Sequence, residues 1–400
     1  MAARSFRFGP GLRLLLILAA GGLESLCPAS AEGPQYAPTT DPAALIVQLG
    51  DDSFEVRERA MRALATLGLE ARPVLETALA SSDPEVRRRA QRALDTILRN
   101  DLKQRLSEFA ADTNPENDHG FPGWKRFRDL VGNSQEARTR FVEMQQAESD
   151  LLVAAQGDPR AAAEEFHRRA YYLQQLLHSR VPQQISLGSV SALLFVGADN
   201  KIPLKDEAAM PIFTFLSQTA FQQSLNQEAQ KALSLKLLGS WIENRTESAV
   251  AYQNLHLAMR YELKEGLAPA LAIVQNRADA SSLQSALLTI GKLGSRQHLP
   301  LVEQALENET VCASYRISNK TISTQVRDVA LAVCLEIVGE SHADYGFARL
   351  QKNAQSLFNV HTLGFEDDQS RDKSLEKWKA WRARHPHPAA ASAAPATANP

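Results

Sequence analysis

Residues 53–64, SFEVRERAMRAL, and residues 83–94, DPEVRRRAQRAL, carry one pattern twice, thirty residues apart. Glu55, Val56, Arg57, Arg59, Ala60, Arg62, Ala63 and Leu64 match Glu85, Val86, Arg87, Arg89, Ala90, Arg92, Ala93 and Leu94. The apolar members recur at three- and four-residue steps, which places them on one stripe of an α-helix. Alanine sits at the centre of each stripe, where a small side chain lets a neighbouring helix backbone come close; arginines fill the opposite face. Ser53 and Asp83 stand at N-cap positions, and Pro84 follows where its missing N–H costs nothing. Glu55 and Glu85 set negative charge beside the free first-turn amides. Gly68 closes the first helix, and ARPVLETALAS at 71–81 supplies a shorter second one. Two such helices cannot bury their stripes alone, so the unit gains stability by stacking on the next. PAALIVQL at 42–49 then reads as the tail helix of an incomplete first unit, and DLKQRLSEFAA at 101–111 completes the last.

A segment of the DPEVRRRAQRAL kind, followed by a short helix containing proline, resembles the HEAT and HEAT-like helical repeat families in their short bacterial form. The resemblance covers residues 42–111. It implies a right-handed α-solenoid of the armadillo type, and with it a protein that binds other proteins or acts as a scaffold.

The pattern returns less cleanly downstream. HLPLVEQAL (298–306) echoes ARPVLETAL (71–79), and in TQVRDVALAVCLEIVG (324–339) Val326, Arg327 and Ala330 stand where Val86, Arg87 and Ala90 stand. GLAPALAIV (266–274) and ASSLQSALLTIGKLG (280–294) form another short–long pair, so residues 266–345 read as divergent repeats with an insertion at 307–323. Residues 112–265 are helical but irregular. There Tyr171, Tyr172, Leu176 and Leu177 read as packing residues, and QISLGSVSALLFVG (184–197) fits either a strand or a buried helix. The expected fold is all-α: an α-α superhelix of HEAT-like repeats with an irregular helical middle. A helical extension follows at 346–385. Within it SRDKSLEKWKAWRARH (370–385) sets Leu375, Trp378 and Trp381 on one side of a basic helix. Such a helix can lie on a membrane or dock in a groove; packing as a cap on the last repeat is the preferred reading. Residues 386–400, rich in proline and alanine, read as a disordered tail.

The first thirty-one residues form a separate piece. Arg4, Arg7 and Arg13 precede the apolar run LRLLLILAAGG, and Ala29-Ser30-Ala31 offers the small residues of a cleavage site. This is the three-part pattern of a secretory signal, cut between Ala31 and Glu32 and followed by a linker at 32–41. Leu26 before Cys27 argues against a lipid-modified cysteine. Export places the chain in the periplasm or outside the cell, where Cys312 and Cys334 can pair if their Cα atoms come within about 7 Å. Asn244, Asn308 and Asn319 lie in glycosylation triplets, which matter only in a eukaryotic host.

No field attracts nucleic acid, because 44 basic residues face 46 acidic ones for a net charge of −2. Phosphate loops, zinc-protease and calcium-loop spacings, paired-cysteine motifs and the serine elbow are all missing from the sequence, so no cofactor or metal is expected. His119 sits beside Asp118 in a turn-rich segment that Gly120, Pro122 and Gly123 already explain as a linker. His167 and His178 share a helix face but lie roughly 16 Å apart, too far to hold one metal; His385 and His387 make a weak pair, and His298 is expected to be solvated. Arg57 and Arg87 could line a ligand surface, but the preferred reading pairs each with an acid of the adjacent unit. The function expected is an exported, non-catalytic scaffold binding a protein partner along a concave face of short helices, near Pro73, Glu76 and Thr77 and near Pro300, Glu303 and Gln304. An enzyme or accessory subunit is the alternative, with a pocket near 118–180 lined by His119, His167 or Tyr171 beside a buried acid.

Overall fold

The computed structural model describes residues 39–386 except 113, 115, 116, 118, 277, 318 and 319. The expected signal, Asp118, Asn319 and the tail from 387, His387 included, lie outside the described residues. The chain divides into two compact units between Lys103 and Gln104.

In the first unit, α1 (Pro42–Gln48), α2 (Phe54–Leu67), α3 (Arg72–Ala78) and the start of α4 (Pro84–Ala111) share one core. Leu45, Leu49, Ala60, Leu64, Leu75, Ala90 and Leu94 meet there, and the stripe alanines Ala60 and Ala90 are fully buried; Val56 and Val86 are buried at the head of each stripe. Short helix packs on short helix, α1 against α3. Long helix lies beside long helix: Arg89 on α4 reaches Glu58 at 2.8 Å and the Met61 sulfur at 3.4 Å on α2. Since Ala90 has no space beside it, Ala90→Leu should cost about 1–3 kcal/mol in a urea unfolding curve, by overpacking.

Four local expectations need correction. Arg57 does not pair with an acid of the next unit; its guanidinium donates to the Asp51 and Asp52 carbonyls, at 2.6 and 2.9 Å. Arg87 does the same to Ser81 and Ser82, at 2.6 and 2.9 Å. Each arginine thus closes the turn that feeds its own helix, and Arg89, expected on the wet face, is the buried buttress, held by Glu58 and Glu85. Asp83 accepts from the Glu85 amide at 2.8 Å as an N-cap should, whereas the Ser53 hydroxyl makes no cap bond. The helix expected at 101–111 is not separate, because α4 continues unbroken to Ala111 with neither glycine nor proline to stop it.

The second unit begins with α5 (Trp124–Val131), α6 (Gln135–Ala154), α7 (Pro159–Leu177) and α8 (Leu187–Gly197). Three short helices follow, α9 (Asp206–Ala209), α10 (Pro211–Leu216) and α11 (Thr219–Ser224), and then α12 (Glu228–Asn244). The 184–197 segment resolves as helix: Gly188 to Gly197 are all buried, so no strand-like alternation of faces exists. Gly188 is required where α8 crosses α6, since a Cβ there would lie 2.3 Å from the Glu143 carbonyl. Phe109, Trp124, Phe127 and Phe141 interlock with ring centroids 4.8–6.1 Å apart. Buried Arg138 lies over the Phe109 and Trp124 rings and donates to the Phe109 carbonyl at 2.9 Å.

Repeat-like stacking resumes with α13 (Ser248–Tyr261), α14 (Leu267–Gln275), α15 (Ala280–Leu293), α16 (Leu299–Glu303) and α17 (Val326–Val338). Long helices α13, α15 and α17 pack in series, and short helices α14 and α16 pack beside them. Val326 and Ala330 are fully buried, and Gly339, at φ +82°, ends α17. Arg327, at the position that Arg57 and Arg87 hold upstream, does meet an acid, Glu309, at 2.8 Å. The insertion is a β-hairpin, β1 (Val311–Ile317) antiparallel to β2 (Lys320–Gln325), so the all-α array carries a small sheet there. A second small hairpin, β3 (Lys352–Asn353) with β4 (Leu357–Phe358), precedes α18 (Asp368–Arg384). Both described cysteines are free; burial pushes the Cys312 thiol up to about 11, and Cys334 higher still.

Candidate functional site

On α3, helical spacing turns Leu75 and Ala78 into the core and Pro73, Glu76 and Thr77 out to solvent. Glu76 pairs with Arg72 at 2.7 Å, with both side chains about half exposed, and the Thr77 hydroxyl donates to the Pro73 carbonyl at 3.0 Å. On α16 and the turn after it, Pro300 and Gln304 are exposed. Gln304 lines an open groove of about 470 Å³ with Glu307 and Glu309 on its rim and Val274 and Leu283 in its wall.

Glu303 is not a free surface residue. Its carboxylate accepts from the Trp378 indole at 3.2 Å and pairs with Arg382 at 2.8 Å, both on α18. That helix packs on α17 and the core around it, with Trp378 buried, Trp381 stacked on it at 5.0 Å, and Leu375 against the same core. Since α18 lies seventy-five residues downstream of Glu303, no local spacing could have announced the contact.

A wide concavity in the second unit lies along α7. A groove of about 870 Å³ has Ala163, Pro203, Leu204 and Ala208 as its apolar lining and Arg160, Glu164, Lys205 and Glu207 as charges of both signs, with His167 on its α7 side. Arg245, at the end of α12, positions the opposite wall by donating to the Asp199 and Ile202 carbonyls, at 2.6 and 2.9 Å, just before Pro203. Further along α7, Tyr171 and Tyr172 are 57% and 49% exposed, not packed inside as the sequence reading had them. The inner face is already filled by Ala162, Phe166, Ala170 and Leu173, which leaves the two tyrosines facing out. Tyr172 lies 4.9 Å from the Arg169 guanidinium, and Arg169 is clamped at 2.5 and 2.9 Å by the buried Glu148 carboxylate. The result is an aromatic group held on an anchored cation beside an apolar groove with a charged rim, the usual anatomy of a protein contact.

A model of HEAT repeats matches residues 42–118. A HEAT-repeat domain therefore opens the described chain. None of the curated proteins compared with the chain matches it. The HEAT match coincides with the helices whose alanine stripes and self-closing arginines are described above.

The residues proposed for a catalytic pocket are not brought together. His167 borders the α7 groove and Tyr171 projects beyond its lining residues. His119 does not line that groove; it lies 2.7 Å from the Asp112 carboxylate and edge-on to Phe109. The Asn114 amide and then His119 hold the Asp112 carboxyl below the usual carboxylate range. The buried acid of the region, Glu148, is taken up by Arg169. His298, expected to be solvated, accepts from the Ser295 amide at 3.0 Å and caps a short turn. Among the described residues no group of three or more His, Cys, Asp or Glu side chains could hold a metal ion. No helix among them is long and apolar enough to cross a membrane.

Proposed function

We propose that this chain is an exported, non-catalytic scaffold, with HEAT repeats of the short bacterial form, that holds a protein partner on its helical surface in the periplasm or outside the cell. The observation that carries the reading is the α7 surface, where exposed Tyr171 and Tyr172 stand beside an apolar groove rimmed by Arg160, Glu164, Lys205 and Glu207. Tyrosine and arginine are the side chains that most often carry contact energy between proteins, and a mixed-charge rim selects partner and orientation. The exposed α3 face, with Pro73, Glu76 and Thr77, offers a second contact surface of the kind the repeat family uses. Export rests on the basic, apolar and small-residue order of residues 1–31.

A photo-reactive amino acid placed at Tyr171, or at Thr77, in cells of the native host tests the proposal. The expected outcome is a discrete protein adduct at Tyr171, on a chain that begins at Glu32 and is recovered outside the cytoplasm. Leu204→Asp should abolish the adduct without shifting the unfolding midpoint. An adduct unaffected by that change, or no adduct at either position, would overturn the proposal.

A further inference from the structure

A different cavity carries no ionic side chain. It holds about 350 Å³ between α13, α15 and the segment 353–361, and its twelve lining residues include no Asp, Glu, Lys or Arg. The groove at Gln304, the α7 groove and a third cavity at Arg126 and Asp199 are all charged. Its floor is apolar, with Met259, Leu288 and Phe358 each 3% exposed or less. Its walls are polar and drawn from all three segments. Tyr252, His256, Gln284 and Asn359 bring polar side chains to its lining. Tyr252 is 58% exposed, which leaves a ring face open at the rim.

Two more wall residues are partly engaged, in a way that defines what remains. His361 Nδ1 lies 3.2 Å from the Ser314 carbonyl, which can only accept, so Nδ1 donates and Nε2 of a neutral ring is left as an acceptor. The Asn353 side-chain oxygen accepts from the Gln355 and Ser356 amides, at 2.8 and 3.0 Å, which leaves its NH₂ as a donor. The cavity therefore offers donors and acceptors together, without a carboxylate, ammonium or guanidinium, over an apolar floor.

We infer that this cavity binds a neutral saccharide. A charged ligand entering it would lose water without meeting a counter-charge, and an apolar one would leave the wall amides unpaired. A sugar hydroxyl both donates and accepts, which matches Gln, Asn, Tyr and His side chains, and the C–H face of a pyranose matches Tyr252 and the floor. The volume is near the lower end of ligand pockets, about 300–1,000 Å³, as a mono- or disaccharide unit requires. A peptide backbone, by contrast, presents its polar groups along one line, and here they converge from three segments.

The full chain, titrated by saturation-transfer NMR against a panel of neutral disaccharides, with a hexuronic acid and an uncharged tetrapeptide as controls, tests this. At least one neutral sugar should bind, and Tyr252→Ala and the pair Gln284→Ala/Asn359→Ala should each weaken it about tenfold or more with an unchanged unfolding midpoint. A second arm compares a glycoprotein before and after enzymatic removal of its glycans: retention of the glycosylated form alone assigns a protein-borne glycan, and retention of neither assigns the free sugar. Silence across the sugar panel, equal binding of the uronic acid or the tetrapeptide, or binding untouched by the substitutions would overturn the inference. None of these outcomes bears on the α7 contact, which uses other residues.

Discussion

Arg371→Ala should destabilise the chain by about 3–5 kcal/mol in urea unfolding at neutral pH, because it strands a carboxylate in the core. Arg371 on α18 and Asp328 on α17 are 3% and 1% exposed, and their charged groups meet at 2.7 and 3.3 Å. Asp328 also accepts from the Gln325 amide at 2.9 Å, and Arg371 donates to the Ser323 carbonyl at 3.3 Å and to Asp368. Burial pushes the Asp328 carboxyl above its ordinary value, against the pull of Arg371, the Gln325 amide and Arg327. With the guanidinium gone only the upward push and weaker partners remain. A carboxyl whose folded pKa is raised binds its proton more tightly folded than unfolded, so stability returns as pH falls. The loss in Arg371→Ala should therefore be largest at neutral pH and shrink in mildly acid buffer. Replacing both partners with apolar residues, Arg371→Met with Asp328→Leu, should cost less than the single change, since no buried charge is left alone. A single variant as stable as the parent at neutral pH would contradict the buried pair.

Trp378→Ala should cost a similar amount, about 3–5 kcal/mol, by opening a cavity where α18 covers α17. The change also removes the indole bond to Glu303 and the ring under Trp381. Trp381 keeps its bond to Glu340 at 2.9 Å, so the helix end should stay attached while its centre loosens. Neither the parent nor the variant should pellet with anionic lipid vesicles, because Trp378, Trp381 and Leu375 are spent against protein. Vesicle binding by the parent that Trp378→Ala abolishes would restore the membrane reading of this helix.

What could be read without coordinates follows the range of the forces involved. The stripes through Ala60 and Ala90, the Pro84 start and the Gly339 stop are local, and all appear in place. The hairpin at 311–325 was legible too: Val311, Tyr315 and Ile317 precede Ser318-Asn319, and β-branched residues resume at Thr321 and Ile322. The surrounding thirty-residue rhythm masks it, because against that rhythm the segment looks like a gap. Tyr171 and Tyr172 needed only a count around the helix, since Phe166, Ala170 and Leu173 already fill the inner face. The occupation of Glu303 and the Asp328–Arg371 pair were not legible. Their partners come from seventy-five and forty-three residues away, where no spacing rule operates. The uncharged cavity is of the same kind, with its walls on three segments that only the fold assembles.

Arg57 and Arg87 each fasten to the carbonyls five and six residues before them, inside one repeat. A bond of that kind travels with the DNA that encodes it. When a unit is copied, lost or transplanted, its clasp goes along, and no complementary acid has to arise on a neighbour at the same moment. Arrays built from such parts can lengthen or shorten one unit at a time, whereas a seam closed like that of Asp328 and Arg371 can change only if both sides change together.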